Sequence, residues 1–315
     1  MRTAFVEELV RLAGEDERIW LVCGDLGYTV LQPFAQRFPE RYLNAGVAEQ
    51  NMTGVAAGLA LSGKTVFTYS IANFPVMRCL EQIRDDVCYH HLNVKIVAVG
   101  GGLAYASHGY THHAVEDIAV MSALPNIAVI APGDPVEARA VTRVIASRDG
   151  PAYLRLGKAG EPVLHSTALT LDYGKAIVLR EGRDLTLISI GGMLANTMDA
   201  ANQLAVAGYS VRVMSMPFAV PLDEDAIRDA VMSTGVILTI EEHSQGGLGT
   251  LVGECIARLG RAATFVPLRL GRLPIKTAGT QEQLKACQGL SPEGIARSAE
   301  SAFQLHASPS RQVWQ

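Results

Sequence analysis

Short runs of β-branched and apolar residues, each too brief for a helix, alternate with longer stretches of helical spacing along nearly the whole chain. The runs are Trp20 to Cys23, Thr65 to Tyr69, Val94 to Val99 and Ile127 to Ala131, then Leu185 to Ile190, Val211 to Met214, Val236 to Ile240 and Thr264 to Pro267. Strands that read as unbroken apolar runs are covered on both faces, and the intervening helices supply the crossovers. The pattern therefore predicts an α/β fold with two doubly wound, mostly parallel sheets. The series pauses between Pro151 and Arg183, where Gly157-Lys158-Ala159-Gly160-Glu161-Pro162 and Glu181-Gly182-Arg183 are rich in turn formers. This places one domain over residues 1–165, a linker over 166–182 and a second domain over 183–305. Residues from Ala307 onward read as a tail.

Charge excludes several functions. The 27 basic and 31 acidic residues are scattered, with neither a basic patch for nucleic acid nor a polybasic segment for a membrane. Acidic residues interrupt the amino terminus where a secretory signal needs an apolar stretch, and no run approaches the length of a membrane span. Five cysteines, at 23, 79, 88, 255 and 287, show no metal-finger spacing. They fit reduced thiols in a cytoplasmic protein.

The stretch Asn44-Ala45-Gly46-Val47-Ala48-Glu49-Gln50-Asn51-Met52 is a glycine-containing turn that delivers one carboxylate, Glu49, to the start of an otherwise apolar helix. Taken alone, an acid there is a first-turn residue favoured by the helix dipole. Small residues from Gly54 to Ala60 lower helix propensity and call for a packing reason, either close approach to the domain's own sheet or contact with another subunit. Further on, Gly100-Gly101-Gly102 follows a predicted strand and lets the backbone approach a ligand. That loop also carries His108, His112 and His113. Neighbouring histidines on a loop seldom face one ion and no third ligand motif accompanies them, so no metal site is predicted.

In combination these segments are specific. Gly46-Val47-Ala48-Glu49-Gln50-Asn51-Met52 resembles the glutamate motif of the pyrimidine-binding domain in transketolases. Glu81-Gln82-Ile83-Arg84, Leu92-Asn93-Val94-Lys95, His112, Glu116-Asp117-Ile118-Ala119 and Ala131-Pro132-Gly133-Asp134 follow in that family's order and spacing. Pro221-Leu222-Asp223-Glu224 and Glu241-Glu242-His243 with Gly246-Gly247-Leu248-Gly249 resemble its carboxy-terminal domain. The resemblance runs from about residue 3 to about residue 300.

The resemblance implies thiamine diphosphate as cofactor, with Glu49 as the acid that hydrogen-bonds its aminopyrimidine ring. It implies Phe74 as the ring stacked on the pyrimidine, with plain core packing as the alternative. Ile71 stands at a neighbouring cofactor-lining position where the family usually has an aromatic residue. Asp25 matches an acid near the cofactor, or is simply a turn aspartate. His112 matches a histidine that faces the substrate and donates to a developing oxyanion or relays a proton. Two departures bear on specificity: Gly100 replaces a histidine that contacts the sugar phosphate, and His108 replaces an aspartate that reads a substrate hydroxyl. Arg155 and Lys158 surround the place of a phosphate-binding arginine, where the alternative is solvated surface charge.

The chain lacks the Gly-Asp-Gly and downstream Asn-Asn that hold Mg²⁺ and the diphosphate in this family. A partner, the amino-terminal diphosphate-binding subunit, is therefore expected to supply them, in an α₂β₂ heterotetramer by analogy. The implied reaction moves a two-carbon ketol unit from a ketose to an aldehyde, on a sugar or sugar-phosphate substrate of altered specificity. The alternatives are the β subunit of a 2-oxo acid dehydrogenase first component and a non-catalytic regulatory partner.

Overall fold

The computed structural model describes residues 1–166 and 168–308; within the expected tail, 309–315 lie outside the described residues. The first block supplies β1 (Ile19–Cys23), β2 (Tyr42–Asn44), β3 (Thr65–Ile71), β4 (Val94–Val99), β5 (Ala128–Ile130) and β6 (Ala152–Leu156). The second supplies β7 (Ile177–Arg180), β8 (Leu185–Ser189), β9 (Val211–Ser215), β10 (Phe218–Val220), β11 (Val236–Ile240) and β12 (Thr264–Leu268). They form a seven-stranded sheet, ordered β10-β5-β6-β4-β3-β1-β2, and a five-stranded sheet, ordered β12-β11-β8-β9-β7. All pairings are parallel except β10 with β5 and β7 with β9. The predicted α/β class with two mostly parallel sheets is what the chain adopts.

Four strands escape the apolar-run pattern: β2, β6, β7 and β10. β6 falls where the series of apolar runs pauses, and β7 lies inside the stretch read as a linker, so the second sheet begins before residue 183. β10 crosses over: although it follows β9 in sequence, it pairs antiparallel with the edge of the first sheet, Phe218 opposite Ile130. The two domains thus share backbone hydrogen bonds as well as side-chain contacts.

The helices Arg2–Glu15 and Pro135–Ala146 cover one face of the first sheet, burying Phe5, Leu9, Phe67, Tyr69, Val141 and Leu154 together. Asp134 caps the second of these helices by accepting from Glu137 N, and Pro135 occupies the first turn, where a missing N–H costs nothing. On the other face the helix Glu49–Leu61 contributes Met52, Ala56 and Ala57 to a cluster that continues through Ile96 and Ile118 to Ile188, Met214 and Leu248 of the second domain. The loop after β4 is anchored in the second domain's core, where Leu103 and Val115 pack with Leu185, Leu187 and Leu270. Burial of a side chain such as Leu103 contributes about 1.5–3 kcal/mol, which fixes a segment that lacks regular structure. Among the described residues no helix is long and apolar enough to cross a membrane.

This topology sets where a ligand can bind. From β1 the chain passes to β2 on one side, while from β3 it passes to β4 on the other, although β1 and β3 are neighbours. The loops diverge and leave a crevice at the carboxyl ends of these strands, the usual ligand position in an open α/β sheet.

Candidate active site

Glu49 opens the 49–61 helix at that crevice. It is buried at 4% exposure, yet its Oε2 accepts from Arg78 Nη1 at 3.0 Å while Oε1 has no hydrogen-bond partner among the described residues. The turn before it is organised by Asn44, whose Oδ1 accepts from both Asp25 N and Gly46 N at 3.0 Å. Asn44 Nδ2 and the Tyr28 hydroxyl in turn donate to Asp25 Oδ1, at 2.8 and 2.9 Å. Those two bonds, the one from Asn44 foremost, hold the Asp25 carboxyl below the usual carboxylate range. Asp25 is exposed, adopts φ 56° and stands at the end of β1, on the rim of the crevice. Ile71, half-buried, ends β3 on the opposite rim.

From Glu49 a continuous row of side chains crosses the carboxyl edge of the sheet. The Arg78 guanidinium that pairs with Glu49 lies over the Phe74 ring, 4.6 Å from its centroid. Phe74 meets His112 edge-on at 5.3 Å, and His112 lies 5.0 Å from His108. Tyr105 contacts both imidazoles, at 5.5 and 6.1 Å, and carries the Lys158 ammonium over its ring at 4.9 Å. Burial, then the neighbouring His108 and His113, lower the His112 pKa, so its imidazole is held neutral near pH 7. Thr111 Oγ1 lies 3.0 Å from its Nδ1.

Arg78 and Tyr105 link this row, and neither was singled out in the sequence. Arg78 carried a signal, because it falls four residues after Phe74 on one helical turn, where side chains meet. Tyr105 explains Gly100. With φ +84°, that residue has an ideal Cβ position only 2.0 Å from Tyr105 Cε2, so ring and backbone together exclude a side chain there.

Arg155 belongs to a different environment. It lies on β6, 5% exposed, with Nε 2.9 Å from Asp117 Oδ2 and Nη2 donating to the carbonyls of Ala114 and Glu242. The solvated-surface reading of Arg155 is therefore corrected: a charge inside a strand is tolerated here because a buried carboxylate and two carbonyls meet it. Lys158, by contrast, is exposed. Tyr153 donates its hydroxyl to the same Asp117 oxygen at 2.6 Å. Across this seam, Glu242 Oε1 accepts from Leu103 N and from Gln281 Nε2, both at 2.9 Å, and Ser244 N donates to Val115 O. Gly102, at φ +65°, allows the close approach, since a Cβ there would fall 2.7 Å from the Glu242 carboxyl carbon. Glu241 caps the helix Leu248–Leu259, accepting from Leu248 N and Gly249 N. Desolvation pushes its pKa up to about 7 against the pull of those amides. The Glu241-Glu242-His243 segment thus clamps the histidine loop from behind.

One cluster has metal-ligating side chains: Asp134, Glu137 and His165. Its ligand atoms are already engaged. Asp134 accepts from Glu137 N, Leu164 N and His165 N. Glu137 accepts from Gly133 N and Ser215 Oγ and meets His165 Nε2 at 2.9 Å.

Comparison with known proteins agrees with this geometry. Residues 1–160 match the family model described as transketolase, pyrimidine binding domain, and residues 174–295 match transketolase, C-terminal domain. One of the two apulose-4-phosphate transketolase chains of Phocaeicola vulgatus is 37% identical, covering 95% of this chain and 96% of that protein. A putative transketolase C-terminal section of Methanocaldococcus jannaschii is 39% identical, with 94% of each chain covered. Among solved structures, a split gene transketolase, inactive beta4 tetramer, superposes with a TM-score of 0.87 at 36% identity, covering 96% of this chain and 98% of that one. A transketolase from Leishmania mexicana shares the fold with a TM-score of 0.76 at 22% identity, this chain covering 45% of it. With both domains matched and the crevice residues in register with its glutamate motif, this chain belongs to the transketolase family, as a subunit made of the pyrimidine-binding and carboxy-terminal domains.

Proposed function

We propose that this chain is the pyrimidine-side subunit of a split transketolase that moves a two-carbon ketol unit from a ketose to an aldehyde acceptor. The observation that carries the reading is Glu49: a buried carboxylate at the sheet's crevice, one oxygen anchored by Arg78 and the other free for a ligand. Thiamine diphosphate, when bound, supplies the nucleophilic carbon that carries the transferred unit. The residues present fit its ring half, with Glu49 to share a proton at Oε1, Phe74 to offer a ring, and Asp25 and Ile71 to border the crevice. His112, held neutral, can donate to or accept from a substrate oxygen, and His108 and Lys158 extend the polar row toward the substrate's far end. His108 and the Tyr105-filled space at Gly100 give that end a chemistry unlike a carboxylate and histidine pair, which supports an altered sugar specificity.

The diphosphate and Mg²⁺ belong, on this reading, to a second chain type, in an α₂β₂ assembly. Two features support a docking partner. Val47 and Tyr28, beside the crevice, are 74% and 69% exposed. Gly54 and Gly58 stand on the outward side of the 49–61 helix with open space in front of them, so the domain's own packing does not require them to be small. The similar split gene transketolase is described as inactive as a β₄ tetramer.

Calorimetric titration with thiamine diphosphate and Mg²⁺ tests the proposal, using this chain alone and then mixed with its diphosphate-side subunit. Tight binding to the mixture only is expected. Absence of binding to the mixture overturns the reading in favour of a non-catalytic partner.

A further inference from the structure

Between the two domains, behind the histidine loop, lies a cavity of about 200 Å³. This is several times the ~30 Å³ share of one water. Two buried cations on its wall are incompletely partnered. Arg155 is engaged through Nε and Nη2 only; its Nη1 makes no hydrogen bond among the described residues and lies 3.7 Å from the ideal Cβ position of Gly191, also on the wall. Lys285 is 6% exposed, makes no hydrogen bond among the described residues, and has as its ion-pair partner Glu242 Oε2 at 4.0 Å, a distance beyond a good hydrogen bond. That carboxylate is itself occupied by Leu103 N and Gln281 Nε2. Glu161, at the same wall, is paired with the Met1 amine at 2.7 Å. The 13-residue helix Leu194–Val206 starts at the cavity from the Gly191-Gly192-Met193 turn, with no side chain capping its first amides.

Buried cations without full partners are costly, and an uncapped helix start adds positive potential at the same point. We infer that this interdomain cavity is a binding site for a small tetrahedral oxyanion such as phosphate or sulfate, gripped by Arg155 and Lys285 at the start of the 194–206 helix. The site uses both domains and is distinct from the Glu49 crevice. An anion there would tie the helix start of one sheet to β6 of the other. Two sources share this chemistry: a free anion, and the anionic end of a substrate entering past Lys158, whose side chain also lines the cavity.

The test uses inorganic phosphate on the full chain, titrated by calorimetry at fixed ionic strength, and needs neither thiamine diphosphate nor the partner. Its failure is therefore separable from failure of the proposed function. One saturable site is expected, weakened at least tenfold, or ~1.4 kcal/mol, by Lys285→Met. Because Lys285 is buried, a second variant keeps the test independent of folding. A Cβ on Gly192 meets nothing within 4 Å, so Gly192→Asp places a carboxylate beside the cavity without a backbone clash. It should abolish phosphate binding, whereas Gly192→Ala should retain it. No saturable binding, or binding equal in wild type, Lys285→Met and Gly192→Asp, overturns the inference. In the assembled enzyme, phosphate that raises KM for a sugar phosphate at unchanged kcat assigns the site to the substrate's anionic end. Inhibition of kcat instead assigns it to a free anion.

Discussion

Two groups of charged residues stand at the carboxyl ends of the first sheet's strands, and they are finished to different degrees. Along the seam with the second domain, Asp117, Arg155, Glu242 and His243 are all buried and bound to groups from both domains. At the crevice, Glu49 has a free oxygen, Arg78 is half in solvent, and Val47 and Tyr28 are uncovered. Burial is expensive for charge unless partners compensate, so the seam's completeness marks it as architecture. The crevice keeps functional groups without full partners, as expected of a surface that another chain and a cofactor would complete.

The largest effect tests the crevice. Glu49→Gln preserves shape and the burial of Met52 and Ala56 beneath it, but removes the acid. In the assembled enzyme, kcat should fall about 10²–10⁴-fold, the usual worth of a general acid–base group, while the circular dichroism melting curve stays near wild type. Should the variant melt far below wild type instead, Glu49 would be a structural residue like those of the seam, and the contrast between the two regions would dissolve.

The next test is made on the seam itself. Asp117→Ala strips Arg155 of its carboxylate and leaves the Tyr153 hydroxyl without its 2.6 Å acceptor. Breaking a buried pair by removing one partner costs about 3–5 kcal/mol, to be read from denaturant midpoints. Asp117→Asn keeps an acceptor and should lose less. Unchanged stability in the alanine variant would mean that the domains are held by apolar packing and the β10–β5 pairing, with the charges incidental.

The same contrast explains what was legible in the sequence. Apolar runs revealed the strands whose residues contact only other apolar residues. β6 was invisible because Arg155 interrupts Ala152-Tyr153-Leu154-Arg155-Leu156, and the carboxylate that permits it sits 38 residues earlier. β10 was invisible because its partner is in the other domain. At the crevice, the family resemblance pointed to Glu49, Phe74 and His112, and the structure strings Glu49, Phe74, His112, His108 and Lys158 into one row. The links, Arg78 and Tyr105, emerge only in the folded chain. An arginine four residues from a phenylalanine is common, and only the fold shows that its far end meets a carboxylate 29 residues away.

The smallest expected effect falls between the two regions, at His165, which ties the connecting segment to the first domain. Its Nε2 lies 2.9 Å from Glu137 Oε1, and Glu137 also accepts from Ser215 of the second domain. The hydrogen bond to Glu137 is the main cause raising the His165 pKa above its usual value, aided by the charges of Glu137 and Asp134 and opposed by partial burial. A folded-state pKa above the unfolded one, ~6.5, means that protonated His165 stabilises the fold fully below that pH. The contribution fades as pH rises through the folded pKa. Glu241 and Lys95, both shifted to about 7, titrate in the same window, so wild-type melting alone would mix their effects with this one. The difference in Tm between wild type and His165→Gln cancels them. That difference should be largest near pH 5.5 and shrink toward pH 8, by a few degrees at most, since one partly exposed pair contributes on the order of 1 kcal/mol or less. A difference that grows with pH would place a neutral histidine in the folded state, and would move this strap from the charged seam to the class of ordinary hydrogen bonds.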